Sequence, residues 1–353
     1  MRLPLRIRFV KLRLNRRTFV ASAIGSLASG IWCGCRSTRA SSDSAATPRA
    51  RGLTIIDTHT HFYDPARPQG LPWPPRDDPV LYRTVLPKSY LALATPQKVT
   101  GTVVVEASPW VEDNQWVLDL AAREPFIAGF VGNLPVGMRE FAGHLQRFAA
   151  NRLFRGIRIR DRKLDGTLED AAFLSDLKRL AGLDLSLDLV GGAEILPFAE
   201  RLARELPDLH IVIDHLAGVR IDGQVPPADW LRAMQALARR PKVYCKVSGL
   251  VEGTGQRGGK APGDVEFYRP VLDAMWEMYG PDRLVYGSNW PVCEHFAPLA
   301  TVQRIVSEYF HAKGRDAEEK VFGRNAAAVY RWVSRAAQAG QHSPARGAAW
   351  LAS

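Results

Sequence analysis

Short apolar runs rich in β-branched residues recur from residue 53 onward, and segments with apolar residues at helical spacing lie between most of them. This alternation is typical of βα units, in which successive strands are parallel. Eight strands are predicted, at residues 53–58, 102–106, 127–131, 156–160, 185–189, 210–214, 243–247 and 284–287. Eight parallel strands with outer helices favour an α/β fold that closes into a single (β/α)8 TIM barrel.

Helices are predicted at residues 114–123, 138–149, 168–180, 193–205, 228–238, 265–279, 299–313 and 317–333. The alternative, an open doubly wound sheet, usually carries a glycine-rich phosphate loop after its first strand. Here the first strand ends in His59-Thr60-His61 instead, so we expect a barrel over residues 52–335. Two Pro- and Gly-rich segments, 65–79 and 253–263, follow the first and seventh strands and are expected to lie over the active site.

The basic excess of the chain belongs to its first 51 residues. They hold 11 of the 47 Lys and Arg residues but only one of the 36 acidic residues, so the remainder is close to neutral and a nucleic-acid partner is excluded. The pair Arg16-Arg17, followed by Phe19 and an apolar run over 21–32, resembles a twin-arginine export signal. A basic amphipathic N-terminus on a cytosolic protein is the alternative.

The export signal predicts a chain in four parts: a cleavable signal peptide at 1–36, a disordered tether at 37–51, the barrel at 52–335 and a flexible tail at 336–353. It implies the twin-arginine translocase as a partner during export and a periplasmic or secreted product. Lipidation of Cys35 would instead give a lipoprotein. The apolar run is shorter than the roughly 20 residues of a membrane-spanning helix, so no integral membrane segment is expected in the mature chain.

The strongest motif is Asp57-Thr58-His59-Thr60-His61 at the end of the first strand. Strict alternation would place Asp57, His59 and His61 on one face. Paired imidazoles suit a metal ion or the polarisation of a carbonyl group, and two core histidines bonded to the backbone are the alternative. The sixth strand ends in Asp214-His215, which would bring His215 to the same rim and turn Asp214 towards the outer helices as a structural residue.

Further segments carry a family resemblance. They are Phe62-Tyr63-Asp64-Pro65, Gly156-Ile157-Arg158, Asp214-His215-Leu216-Ala217-Gly218, Cys245-Lys246-Val247-Ser248-Gly249-Leu250, Tyr286-Gly287-Ser288-Asn289-Trp290-Pro291 and Phe322-Gly323-Arg324-Asn325. Together with the His-x-His motif, they make the chain resemble the amidohydrolase superfamily. Within it, the chain resembles the amidohydrolase 2 branch that contains the sugar-acid lactonases and 2-pyrone-4,6-dicarboxylate lactonase.

The resemblance implies a reacting centre of His59, His61, His215 and the residue that ends the eighth strand. That residue is Asp in the superfamily and Asn289 here, and an amide cannot take a proton from water. The acids that could replace it are Glu106, Asp188, Glu252 and Glu294. Glu106 is favoured, because a carboxylate that ends an apolar strand is costly to bury unless it is paired or working. A salt bridge at Glu106 remains equally open, as does a base role for His215 or His59.

Candidate substrate-binding residues lie on the same strands. Arg158 and Lys246 would hold an acid group or a carbonyl oxygen, with ion pairing inside the barrel as the alternative for Arg158. The rings of Tyr63, Trp73 and Trp290 could stack on a sugar-like ring, although each could equally be packing.

Three functions follow from these residues. The first is a metal-independent or weakly metal-dependent hydrolase that opens a lactone or related cyclic ester of a sugar acid, with a small molecule as partner and no cofactor. The second is an amidohydrolase or decarboxylase that uses one Zn²⁺ or another divalent cation held by His59, His61 and His215. The third is a secreted binding protein that kept the barrel without the chemistry.

Overall fold

A computed structural model describes residues 52–160, 164 and 166–335. The predicted signal peptide, the tether, Cys35 and the C-terminal tail lie outside the described residues. Eight parallel strands form one sheet in the order β1 to β8. They are β1 (Ile56–Thr60), β2 (Gly101–Val105), β3 (Ile127–Gly132), β4 (Phe154–Arg160), β5 (Ser186–Val190), β6 (His210–Ile213), β7 (Val243–Val247) and β8 (Leu284–Tyr286). All eight predicted strands are confirmed, with small differences at their ends.

The first and last strands meet, so the sheet curls into a barrel. The Thr58 hydroxyl donates to the carbonyl oxygen of Tyr286 at 2.6 Å. Just beyond the strand ends, the amide of His61 donates to the carbonyl oxygen of Trp290 at 2.9 Å. The (β/α)8 architecture predicted from the strand count is therefore present.

The helices are α1 (Pro87–Ala94), α2 (Asp113–Arg123), α3 (Phe141–Ala149), α4 (Ala171–Gly182), α5 (Leu196–Glu205), α6 (Ala228–Ala238), α7 (Leu250–Gly253), α8 (Val265–Tyr279), α9 (Leu299–Ala312), α10 (Arg315–Glu319) and α11 (Asn325–Tyr330). Helices α1 and α7 were not predicted, since both are short. The prediction of one continuous helix at 317–333 is wrong: a π-helical turn, Lys320–Arg324, separates α10 from α11. In the described part of the chain, no helix has the length and apolarity needed to cross a membrane.

Apolar residues form two buried layers. The larger one packs the outer face of the strands against the helices. The smaller one fills the inside of the barrel and consists of Ile56, Val103, Val105, Val131, Val212, Tyr244 and Val285 from the strands with Ala326, Val329 and Tyr330 from α11. The chain therefore brings its last described helix against the barrel interior, where Tyr330 reaches the functional cluster described below.

Candidate active site

A β-bulge in β1 decides which side chains of the first motif enter the barrel. Asp57 pairs with Thr102 and Thr60 with Val104, so β1 has one extra residue between these pairs. Asp57 accepts a hydrogen bond from Tyr90 of α1 at 2.6 Å, whereas the ring of His59 lies inside the barrel. The prediction that Asp57 shares a face with the two histidines is therefore wrong, because the bulge interrupts the alternation.

Lys246 of β7 lies at the centre of a buried ionic cluster. Its ammonium nitrogen is 2.8 Å from Oδ2 of Asp188 and 2.9 Å from Oδ1 of Asp214. It is also 3.1 Å from Nδ1 of His59. The phenol of Tyr330 donates to Oδ2 of Asp188 at 2.8 Å, and all these side chains are fully buried. One ammonium group thus contacts side chains from β1, from β5 and from the residue that follows β6.

The inward position of Asp214 corrects a prediction. Val212 belongs to the inner apolar layer, so two residues later Asp214 also points inward rather than to the outer helices. The sequence prediction assigned the inward face to His215 instead. The chain brings His215 to the rim by a left-handed turn, with φ between 51° and 53° at His215, Leu216 and Ala217.

The protonation states of Lys246, Asp188 and Asp214 depend on burial and on the charges of their neighbours. Burial lowers the pKa of Lys246, but Asp188 and Asp214 raise it above its ordinary value, so the amine stays protonated. Burial alone would raise the pKa of Asp214, yet the charge of Lys246 holds it well below its usual range. At Asp188 burial prevails over Lys246 and raises the pKa to about 6. The cluster therefore holds an ammonium against one firmly ionised carboxylate and one that takes a proton more readily.

His59 is neutral and lies between two cations. Burial, and after it the charge of Lys246, hold the pKa of His59 well below its ordinary value. The ammonium of Lys246 faces Nδ1 at 3.1 Å and the guanidinium of Arg158 faces Nε2 at 3.3 Å, and both groups can only donate. A neutral ring accepts through one nitrogen, so His59 takes a hydrogen bond from one of these two cations.

The other two histidines adjoin His59, with ring centroids 5.0 Å away for His61 and 4.3 Å away for His215. Nδ1 of His61 donates a hydrogen bond to the carbonyl oxygen of Val105 at 2.9 Å. Nδ1 of His215 is 2.8 Å from the Ser248 hydroxyl. Burial lowers the pKa of His215 to about 4, and burial followed by the charge of Arg158 lowers that of His61. All three predicted histidines therefore come together as neutral rings.

Glu106 takes part in a salt bridge. Its Oε1 accepts from Nε of Arg158 at 2.8 Å and from Nε of Arg160 at 3.1 Å. Arg158 also donates to the backbone carbonyl of Glu106 at 2.6 Å. Both the predicted acid and the predicted substrate-binding arginine lie at the site. They are bonded to each other, which was the alternative left open for each.

The predicted aromatic residues have different positions. Trp73 lies against His61, with ring centroids 5.6 Å apart, so the 65–79 segment does lie over the site. Tyr63 is 3% exposed and donates its hydroxyl to the carbonyl oxygen of Leu81. Trp290 is 1% exposed and its ring packs between Phe62 and Tyr90. Trp73 thus packs against one of the three histidines, and Trp290 donates its indole N–H to Glu294 at 2.8 Å.

Asn289 follows β8 and has a left-handed φ of 59°. Its partner is Glu252, an acid that the sequence analysis named but did not favour. The amide nitrogen of Asn289 donates to Oε1 of Glu252 at 2.9 Å. Asp188 was likewise named but not favoured, and Asp214 was predicted to be a structural residue. For Asp214 the signal was available, since it lies two residues beyond an inward-facing valine.

A group of residues that could hold a metal ion is His59, Asp214 and His215, whose ligand atoms lie within 4.8 Å of one another. The predicted metal ligands were His59, His61 and His215, and Asp214 takes the place of His61 in this group. The Nδ1 of His61 is instead hydrogen-bonded to the backbone. The arrangement fits a divalent cation poorly. The ammonium of Lys246 already contacts both Nδ1 of His59 and Oδ1 of Asp214, and a metal at those atoms would have to displace it.

Comparison with known proteins places the chain in a family. A family model described as amidohydrolase matches residues 56–332. An L-fucono-1,5-lactonase from Burkholderia ambifaria is 33% identical over 285 residues, which cover 78% of this chain and 95% of that protein. An L-fucono-1,5-lactonase from Burkholderia multivorans is 29% identical over 288 residues, covering 79% and 96%.

Solved structures agree with this placement. A crystal structure of an amidohydrolase from Burkholderia multivorans with bound zinc is 29% identical, with a TM-score of 0.70, and the match covers 79% of this chain and 99% of that one. The residues matched by the family model, 56–332, include all eight strands. The protein is a member of the amidohydrolase family.

Proposed function

We propose that the protein hydrolyses a lactone of a sugar acid at the carboxyl ends of its barrel strands. The support from similarity is that two relatives are L-fucono-1,5-lactonases, one of them 33% identical to this chain. The structural observation that carries the proposal is the guanidinium of Arg158, a cation that Glu106 holds at the rim beside Nε2 of His59.

This guanidinium suits the carbonyl oxygen of a lactone. When water adds to the acyl carbon, negative charge develops on that oxygen, and a fixed cationic donor stabilises it. Glu106 fixes the guanidinium of Arg158 through two hydrogen bonds, one to its carboxylate and one to its backbone carbonyl. The guanidinium is therefore held before substrate binds, so little reorganisation is needed during the reaction.

The remaining groups position water and substrate. His215, held by Ser248, stays neutral because its pKa is about 4, so it orients a water molecule but binds a proton weakly. Trp73, packed against His61, offers a face to the substrate ring. Oε1 of Glu106 accepts from two arginines, so this carboxylate serves as their ion-pair partner.

The proposal includes hydrolysis without a tightly bound metal. Lys246 places a positive charge between His59 and Asp214, where a divalent cation would otherwise balance the carboxylate. A zinc-dependent hydrolase or decarboxylase is the second candidate. It is favoured by the grouping of His59, Asp214 and His215 and by the relative crystallised with bound zinc.

The test is hydrolysis of a panel of sugar-acid lactones, L-fucono-1,5-lactone included, by the purified protein with and without a chelator. We expect turnover that the chelator does not change, and a fall of about 100-fold in kcat/KM for Arg158→Lys. Arg155→Lys, three residues earlier on β4, is the matched control, since the side chain of Arg155 donates to the carbonyl oxygen of Phe154 and not to a residue of the site. Loss of activity with chelator and its recovery with zinc would favour the second candidate, and a folded protein that opens no lactone would refute the first.

Export is also part of the proposal. It rests on the Arg16-Arg17 pair and the apolar run that follows, both outside the described residues. Cell fractionation checks it: the protein should be found in the periplasm or medium, and an Arg16→Lys, Arg17→Lys variant should be retained in the cytoplasm. Equal distribution of both forms would refute twin-arginine export.

A further inference from the structure

Glu252 is a carboxyl group that the mechanism above does not use. It belongs to α7, the short helix that begins two residues after Ser248, at the carboxyl end of β7. Its Oε1 accepts from Asn289, which follows β8, so the residue lies between the ends of two neighbouring strands. This is the same rim that carries His215, since His215 contacts Ser248.

One oxygen of this carboxyl group has no partner. Oε2 of Glu252 is buried and makes no hydrogen bond with any described residue. Buried carboxylate oxygens are costly to leave unpaired, and such exceptions are concentrated where a group binds a ligand or moves a proton. The hydrogen bond from Asn289 to Oε1 orients the group and leaves Oε2 available.

No cation balances the carboxylate within the described residues. The titratable groups that face it are Tyr268 of α8 and Cys293 after β8. Burial raises the pKa of each, and the charge of Glu252 raises both further, so they stay neutral. For Glu252 itself, burial outweighs the hydrogen bond from Asn289 and raises the pKa to about 7. The group is thus present in both protonation states near neutral pH.

We propose that Glu252 is the proton carrier of this active site and that Asn289 is the positioning residue that holds it. The inference rests on the proposed lactone hydrolysis and names the residue that supplies its acid and base. A group that is half protonated at the working pH can both accept and return a proton, which the neutral histidines with low pKa values do poorly.

The proton transfers balance. Ionised Glu252 takes a proton from water as the water oxygen bonds to the acyl carbon of the lactone. The bond between the acyl carbon and the ring oxygen then breaks, and Glu252 returns the proton to the ring oxygen. The product is the open hydroxy acid, and the carboxylate is restored without an oxidant, reductant or further reactant.

The first experiment compares wild type, Glu252→Gln and the matched control Glu266→Gln on the lactone of the panel that the wild type opens fastest. Glu266 is an exposed acid at the start of α8. We expect kcat to fall by about 100-fold or more for Glu252→Gln, with little change in KM, and the pH dependence near 7 to disappear. The control keeps both. A Glu252→Gln enzyme with wild-type kcat and pH profile would overturn the proposal.

A second measurement is independent of turnover. Carbon-13 NMR of the protein labelled at its glutamate carboxyl groups should show one carboxyl that titrates near pH 7 and is missing in Glu252→Gln. A wild type that opens no lactone but shows this titration would refute the proposed function and leave Glu252 as a proton-exchanging group. Absence of any carboxyl that titrates between about pH 6 and 8 would overturn the inference itself.

Discussion

Lys246 is the residue on which the charge balance of the site depends. Its ammonium contacts two buried carboxylates and the ring of His59, all without access to solvent. Removing one member of a buried ion cluster leaves the others uncompensated, which costs far more than an exposed pair would. The stability of the fold and the position of the His59 ring therefore depend on the same nitrogen atom.

Lys246→Met tests this dependence. We expect unfolding free energy to fall by about 3–5 kcal/mol at pH 8, and lactone hydrolysis to be lost. The deficit should shrink towards pH 5, because protonation of Asp188, whose pKa is about 6, removes one of the two unbalanced charges. Denaturant unfolding at both pH values measures it. Lys242→Met, whose partner Asp208 is exposed, is the control and should cost under about 1 kcal/mol. Equal losses in the two variants would contradict the buried-cluster argument.

Glu252 also makes the stability of the fold depend on pH. Its pKa is about 7 in the folded chain and 4.5 ordinarily, so between these values the folded state binds more protons than the unfolded state. Stability must then fall as pH rises through this window, on the order of 2 kcal/mol for the one group. In Glu252→Gln this fall should be absent. Urea unfolding from pH 5 to 8 measures the difference, and parallel curves for the two proteins would show that the carboxyl group is not shifted.

The sequence identified most residues of the site and failed where local geometry departs from a simple rule. His59, His61, His215, Arg158 and Lys246 were selected from motifs and strand ends, and the structure brings them together. Asp57 was misplaced because a bulge is not visible in the alternation of β1. Asp214 was predicted to face outward because the inward face was given to His215. No sequence pattern predicts the three left-handed residues that bring His215 to the rim.

At the scale of elements, the turn after β6 stores strain that its neighbours must stabilise. Left-handed φ values at His215, Leu216 and Ala217 cost roughly 1 kcal/mol or more for each residue with a Cβ. Trp230 of α6 donates its indole N–H to the carbonyl oxygen of Leu216 at 3.0 Å. On the other side, Gly249 lies so close that a Cβ there would be 2.7 Å from the Cβ of His215. The turn is thus held between α6 and the end of β7.

Gly249→Ala separates backbone strain from displacement of His215. Gly249 has a φ of 67°, and Gly255 has a φ of 68° with open space around it. Both Ala variants should lose about 1 kcal/mol of stability from the left-handed backbone. Only Gly249→Ala should also displace His215 and lower kcat, by about 100-fold for a shift near 1 Å. Thermal unfolding and steady-state kinetics give the two readouts. Equal kcat in both variants would mean that His215 is not positioned by this contact.

The elements themselves were largely predictable. All eight strands and the main helices follow from the periodicity of apolar residues, since a buried parallel strand and an amphipathic helix leave different spacings. Helices α1 and α7 were missed because eight and four residues are too few to show a period. The π-helical turn before α11 was missed because its side chains continue an apolar helical pattern.

At the scale of the whole molecule, the barrel collects one cluster from distant parts of the chain. The closure of the barrel could be predicted from the number of strands. The packing of α11 against the barrel interior could not, because an apolar helix face does not show which surface it packs against. Tyr330, 142 residues after Asp188, donates to the same oxygen that contacts Lys246. The end of the described chain is thereby linked through Asp188 and Lys246 to His59 on the first strand.

Tyr330→Phe tests this link across the molecule, and Tyr309→Phe is its matched control. Both phenols donate to an aspartate, Tyr330 in the barrel interior and Tyr309 to Asp273 among the outer helices. We expect a cost of about 1–2 kcal/mol for Tyr330→Phe, because the acceptor it leaves is buried. The pKa of Asp188 should rise above about 6, since the phenol lowers it. A protonated Asp188 binds Lys246 more weakly, so kcat should fall several-fold. The fall should be larger at low pH than at high pH. Tyr309→Phe should keep the wild-type pH profile of kcat. If the two variants show the same profile, α11 is a structural support and does not influence the charge of the site.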